Sequence, residues 1–187
     1  MTYNRDFIFK ISFLAFIIVL WIIVLNKTTA NFEANIKVDI SKTKNQIKSI
    51  NDNFDIAYTK SYDIDVINFK NSNELVHEKL GNLGFNDNFF CDFKSKIDVS
   101  EDIKIVIYLY SDDGFKFFID SIKYGEFIND RAFSLSKFEI PLTKGIHEGK
   151  ILYFQGYGQL GIKVEYEVAG KKYLWGENSK YIKFLKV

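Results

Sequence analysis

The sequence predicts an all-β sandwich behind an N-terminal transmembrane helix. Three observations lead there. From Ile56 onward, apolar residues fall in short runs that alternate with polar ones, the period of a half-buried strand. Turn residues separate those runs, as in sandwiches and barrels. The first thirty residues instead hold one long apolar run with no polar stripe. Residues 1–30 are therefore read as a membrane anchor or signal segment, 31–55 as a juxtamembrane stalk and 56–187 as the sandwich.

The N-terminal run extends from Phe7 to Leu25, broken by Lys10 and Ser12. A bilayer core needs about 20 helical residues, which this run nearly supplies if Lys10 snorkels to the headgroups. Arg5 and Lys10 make a basic start, and Thr28, Thr29 and Ala30 form a poor cleavage site. An uncleaved single-pass signal-anchor follows, in the inner (cytoplasmic) membrane. Large trailing domains cross largely regardless of charge, which places the sandwich in the periplasm or outside the cell.

In the stalk, Ile36, Ile40, Thr43, Ile47, Ile50 and Phe54 alternate by four and three, a short heptad seam through which two copies could pair. The competing pattern is Ile36, Val38 and Ile40 alternating as a strand does. Beyond it, FFCDFKSKIDV (89–99) puts Phe89, Cys91, Phe93 and Ile97 on one face. DIKIVIYLY (102–110) puts Ile103, Ile105, Ile107 and Leu109 inward, with Val106, Tyr108 and Tyr110 opposite. Only ELVHEKL (74–80) reads as a short helix.

Composition excludes several functions. The apolar fraction is 47% and the aromatic fraction 17%, enough for a real core. The balance of 25 basic and 24 acidic residues leaves a net charge of +1, so no nucleic-acid footprint is expected. Cys91 is alone, which rules out an intrachain disulfide and suits a small core residue. His77 and His147 stand far apart, which argues against a zinc site. No GxSxG, HExxH or phosphate-binding loop is present, and the chain is read as not an enzyme. A two-carboxylate glycosidase stays open, because carboxylate separation is a structural quantity.

Two adjacent acids stand out: Asp112 and Asp113, between Ser111 and Gly114 and among aromatics. As bare residues they make a good turn. Three stretches together carry more: FFCDFKSKIDV, then IDVSEDIKIVIYLYSDDGFKFFID (97–120), then FEIPLTKGIHEGKILYFQGYGQLGIKVEYE (138–167). In that order they resemble the β-sandwich module named after anthrax protective antigen, found also in yeast flocculins, bacterial adhesins and sugar-processing enzymes. The resemblance covers roughly residues 55–187.

In sugar-binding members of that family, the adjacent aspartates hold Ca²⁺ across a cis peptide, a second loop adds oxygens, and sugar hydroxyls complete the shell. The resemblance therefore implies a metal site at Asp112, Asp113, Gln155 and Tyr157. A ligand site is expected at Tyr157, Gln159 and Trp175, because an exposed aromatic can stack on a sugar ring or on a protein partner. Asn129 and Asp130 could contribute from a neighbouring loop. The second loop, Gln155–Gln159, lacks the Asp or Asn often found there in lectin members, which lowers its charge. Two functions follow. One is a membrane-anchored binding module for carbohydrate, with calcium. The other is a scaffold subunit of a bacterial envelope assembly that docks envelope proteins, or itself through the stalk.

Overall fold

The computed structural model of the chain describes residues 5–29 and 33–187, with side chains for residues 7, 9–24 and 33–187. The chain divides into two units, Met1–Glu33 and Ala34–Val187. The first holds α1 (Arg5–Thr29). Every described α1 side chain is exposed, Trp21 and Phe9 among them. Among the described residues no helix is long and apolar enough to cross a membrane. Met1–Asn4 and Ala30–Phe32, which include the last residue of the weak cleavage site, lie outside the described residues.

The second unit is an antiparallel β-sandwich. Its strands are β1 (Ile36–Thr43), β2 (Ile56–Ile64), β3 (Asn68–Ser72), β4 (Val76–His77), β5 (Gly81–Asn82), β6 (Phe89–Val99) and β7 (Ile103–Asp112). Then come β8 (Phe115–Ile119), β9 (Ile122–Phe127), β10 (Ser134–Leu142), β11 (Gly145–Gln155), β12 (Leu160–Val168), β13 (Lys171–Leu174) and β14 (Ile182–Leu185). One sheet runs β2-β1-β6-β11-β8-β9, with β14 also on β6; the other runs β10-β7-β12-β13, with β3 also on β12.

The alternation seen in the sequence becomes the core. β6 buries Phe89, Cys91, Phe93, Ile97 and Val99, while β7 buries Ile105, Ile107 and Leu109. β12, beside β7 in the same sheet, adds Ile162, Val164 and Tyr166. Burial at roughly 25 cal/mol per Å² of apolar surface is the main force holding the sheets together.

Three expectations are corrected. The helical stalk is instead β1, with Ile36, Val38 and Ile40 buried and hydrogen-bonded neighbours on both sides. A seam under three heptads long cannot compete with two ladders and a buried face. Later stalk residues also belong to the sandwich: Ile47 and Ile50 pack with Phe154, and Phe54 stacks on Phe90 at 3.8 Å. The domain therefore begins before residue 56. Residues 74–80 form no helix: Leu75 and His77 are buried and Val76 is exposed, so the period is two, and Val76–His77 pairs with Gly81–Asn82. Seven residues are too few to offset helix nucleation without a buried stripe.

The β8–β9 hairpin supports a pH-dependent contact. Its two-residue turn, Asp120–Ser121, has positive φ at both positions (49° and 66°), the primed geometry that matches strand twist. Asp120 accepts the Glu148 N–H at 2.8 Å and faces His147 Nδ1 at 2.5 Å. His147 Nε2 lies 2.8 Å from the Thr143 carbonyl. Both ring nitrogens thus face acceptors, a geometry that only the imidazolium satisfies. Burial works against the charge, but the Asp120 carboxylate and Thr143 carbonyl outweigh it and raise the His147 pKa. A raised folded-state pKa adds stability below the unfolded value of about 6.5, and that stability is lost as pH rises through the folded value. Urea unfolding from pH 6 upward should therefore show stability falling by roughly 0.5–1 kcal/mol. His147→Gln should remove that slope; an unchanged slope would mean another group titrates.

Candidate functional site

The Ser111–Gly114 turn is not a hairpin. It carries the chain from β7 in one sheet to β8 in the other, at one end of the sandwich. Only glycine fits its last position: a Cβ on Gly114 would lie 2.5 Å from the Phe127 carbonyl oxygen and 2.6 Å from the Phe154 ring. Two further segments close on the turn. Residues 128–131 pair with 48–50, through Ile50 N–H to the Ile128 carbonyl (2.9 Å) and Asp130 N–H to the Lys48 carbonyl (3.2 Å). The 155–159 loop approaches through Gly156, where a Cβ would meet the Ile47 carbonyl at 2.8 Å.

Asp113 joins these segments. Its Oδ1 accepts the Arg131 N–H at 3.0 Å and its Oδ2 accepts the Gly156 N–H at 2.7 Å. Its own carbonyl accepts the Ser111 hydroxyl at 2.6 Å. Burial raises its pKa, and the two N–H donors pull the other way.

Asp112 is held differently. Its main-chain carbonyl faces the buried Tyr153 hydroxyl, while its carboxyl is pushed up to about 6. Desolvation is the chief cause and the neighbouring Asp113 the second, offset by the Phe133 N–H and the Arg131 charge. Every described peptide bond is trans, so the expected cis link between the acids is absent.

Arg131 is the residue that sequence reasoning missed. Its Nη2 donates to Ser111 Oγ at 2.8 Å and its Nη1 to Ser136 Oγ at 3.0 Å. The guanidinium lies 4.5 Å from the Phe127 ring centroid and 5.3 Å from that of Phe115, within cation–π range. A chain that elsewhere uses lysine, apart from Arg5, spends an arginine here. That choice was the available signal, because a planar fork bridges two hydroxyls as an ammonium cannot.

The remaining expected site residues divide. Gln155 reaches the turn but is fully buried and committed: its Oε1 lies 2.7 Å from the Tyr153 hydroxyl and its Nε2 donates to the Gln159 carbonyl at 2.9 Å. Gln159 Oε1 accepts Asn71 Nδ2–H at 3.1 Å. Tyr157 stands at the loop tip, 63% exposed, ahead of Gly158 with φ of 100°. Asn129 and Asp130 lie beside the turn, and Asp130 contributes a repulsive charge at Asp113. Trp175 is not part of the site. It is 1% exposed, in the core, and its Nε1–H donates to Ser95 Oγ at 3.0 Å. Its pinned main chain turns it inward: Trp175 N–H bonds the Val164 carbonyl (2.8 Å) and its carbonyl takes the Ile67 N–H (3.1 Å).

The donors can be weighed against calcium, which takes roughly six to eight oxygens. Asp113 already receives a backbone N–H on each oxygen, Gln155 is committed, and the Phe133 N–H and the Arg131 charge partly offset the Asp112 charge. Among the described residues no group of three or more His, Cys, Asp or Glu side chains could hold a metal ion. Of the charged oxygens that calcium favours, the turn brings together the Asp112 and Asp113 carboxylates, and each is already engaged by main-chain N–H groups.

No protein-family model and no curated protein matches the sequence. Solved structures do match. A PA14 sugar-binding domain from an RTX adhesin aligns with a TM-score of 0.61 at 10% identity, over 75% of this chain and 93% of that one. The epithelial adhesin 9 A domain from Candida glabrata, solved with Galb1-3GlcNAc, aligns with a TM-score of 0.56 at 10% identity, over 81% of this chain and 88% of that one. An anti-sigma factor domain-containing protein aligns with a TM-score of 0.58 at 13% identity, over 76% of this chain but 46% of that one. The fold is thus that of the PA14 module, the protective-antigen type.

Proposed function

We propose that this chain is an extracytoplasmic carbohydrate-recognition module, carried on its N-terminal apolar segment as a membrane anchor. Asp112 carries the reading. Its carboxyl is desolvated to a pKa of about 6 beside a second acid, at the loop end that also presents Tyr157. Beyond the Phe133 N–H, the fold draws little on that charge: Tyr153 binds the main-chain carbonyl of Asp112, not its side chain. An acid kept where its ionisation is penalised marks a functional site more than an architectural one. A carboxylate accepts sugar hydroxyls, and an exposed tyrosine offers a ring face for a sugar's C–H face. Neighbours of the same fold include a sugar-binding adhesin domain and an adhesin solved with a disaccharide, which supports the same ligand class here. With the Phe133 N–H and the Arg131 charge partly offsetting the Asp112 carboxylate, the reading needs no calcium. The apolar run of residues 11–25 supports the anchor.

A glycan array probed with the full chain, in a detergent without a sugar headgroup, tests this. Binding should survive chelator and weaken about tenfold in Tyr157→Ala. If no glycan is bound, the reading fails; if chelator abolishes binding, calcium returns to the turn.

One observation favours a second reading, the scaffold subunit. β2 forms the end of its sheet, with Ile56 and Tyr58 exposed, and an open edge can accept a partner's strand. Chelator-insensitive co-purification with an envelope protein, lost when Tyr58→Pro blocks the edge, would support it.

A further inference from the structure

The outer face of the five-stranded sheet carries a groove that the loop-end site does not include. Its origin is topological. β3 and β13 share one edge of β12, β13 beside Glu165–Val168 and β3 beside Leu160–Lys163. They meet at Val164, whose N–H donates to the Ile67 carbonyl (3.0 Å) and whose carbonyl accepts the Trp175 N–H (2.8 Å). The β3 half is irregular, its register shifting between Leu160 and Ile162. At this seam lies a groove of about 490 Å³, whose lining includes Asn68, Lys70, Asn71, Phe133, Lys163 and Glu165.

Each part has a definite chemistry. Lys163 and Glu165 point outward from alternate positions of β12 and form an ion pair of 2.7 Å. Asn68 and Asn71 come from β3. Asn71 spends one N–H on Gln159, leaving its carbonyl oxygen and second N–H. Phe133 stacks on Tyr110 (6.0 Å between centroids, 19° between planes), and Tyr110 lies in register with Lys163. An aromatic ring, two amides and an ion pair thus share one open groove.

We propose that this groove binds a short saccharide, one or two pyranose rings long. Its volume falls within the range of about 300–1,000 Å³ typical of small-ligand sites. A sugar hydroxyl both donates and accepts, and so does each asparagine amide. The Lys163–Glu165 pair offers a donor and an acceptor side by side, matching two neighbouring hydroxyls. Glu165 also cancels the Lys163 charge, so among the lining residues Lys70 alone is left to attract a phosphate, short of the concentrated positive field such a ligand would seek. The Phe133 ring suits the C–H face of a pyranose. The ligand class rests on the carbohydrate reading above; the location does not rest on the loop-end site.

Saturation-transfer NMR of the full chain, in a detergent without a sugar headgroup, separates the two. The probes are lactose, cellobiose, maltose, chitobiose and digalacturonate. The proteins are the wild type, Asn68→Ala/Asn71→Ala, Phe133→Ala and Tyr157→Ala, each checked for an unchanged thermal melt. The asparagines and Phe133 lie outside the core, so at least the amide variant is expected to fold normally. The groove is supported if a probe binds the wild type, loses about tenfold in affinity in the groove variants and keeps it in Tyr157→Ala. Binding lost in Tyr157→Ala and retained in the groove variants overturns the groove and upholds the loop-end reading. Binding of no probe by the wild type overturns both.

Discussion

Asp113→Ala should destabilise the sandwich by about 2–4 kcal/mol, while Asp112→Asn should leave it as stable or make it more so. The two acids are neighbours in sequence but do opposite work. Asp113 satisfies the Gly156 N–H, which is buried, and the Arg131 N–H, which is partly buried. Its removal leaves the first donor unpaired out of water and loosens the second, at about 1–3 kcal/mol for a fully buried group. Asp113→Asn should recover only part of this, because an amide keeps one acceptor and turns a donor toward the other N–H. Asp112 carries a folded-state pKa of about 6, raised first by desolvation. Between an unfolded value near 3.9 and that pKa, the folded state binds more protons than the unfolded one, so stability falls as pH rises through the window. Asp112→Asn should flatten that fall in urea melts at pH 4, 5, 6 and 7. A loss in Asp112→Asn as large as in Asp113→Ala would make both acids architectural, and the argument for a site at this turn would fail.

Legibility in the sequence followed the range of the interactions. Alternation in β6 and β7 is local, so their inward residues could be named before any contact was known. Ser111–Gly114 was legible as a turn, but its crossing between sheets was not, because β7 and β8 would look the same as a hairpin. β1 was ambiguous for a physical reason: Ile36 and Ile40 sit at spacing four, which suits a helix face and every second position of a strand alike. What decided it was a neighbour on each side, β2 and β6, the latter distant in sequence. Arg131 lies eighteen residues from Asp113 and joins it through a main-chain N–H, a bond any residue but proline could make. Its side chain's part depends on Ser111 and Ser136 meeting it, which no spacing announces.

Trp175 shows the same limit from the other side, and its removal should have the largest effect of any single truncation considered. In KKYLWGENSK it was expected at the ligand site. Inside the fold it meets Phe117, Phe184 and Tyr166 edge-on, at centroid distances of 5.3, 5.2 and 6.2 Å. Such pairs add about 0.5–1.5 kcal/mol beyond the area they bury. The space it fills was prepared in β11: a Cβ on Gly149 would lie 2.5 Å from Ser95 Oγ and 2.9 Å from the indole. A glycine inside a strand marks just such a close approach, so Gly149 was the readable trace of the buried tryptophan. Trp175→Ala should cost about 3–5 kcal/mol through the cavity it leaves. Trp175→Phe should cost less, yet more than volume alone predicts, because Ser95 Oγ loses the indole N–H and retains only its own bond to the Gly149 carbonyl. Ser95→Ala in the Trp175→Phe background separates the two contributions: if the lost hydrogen bond matters, the second change should add little to the first. If thermal melts instead show Trp175→Ala within about 1 kcal/mol of the wild type, the indole is not in the core, and its place at a ligand surface would have to be restored.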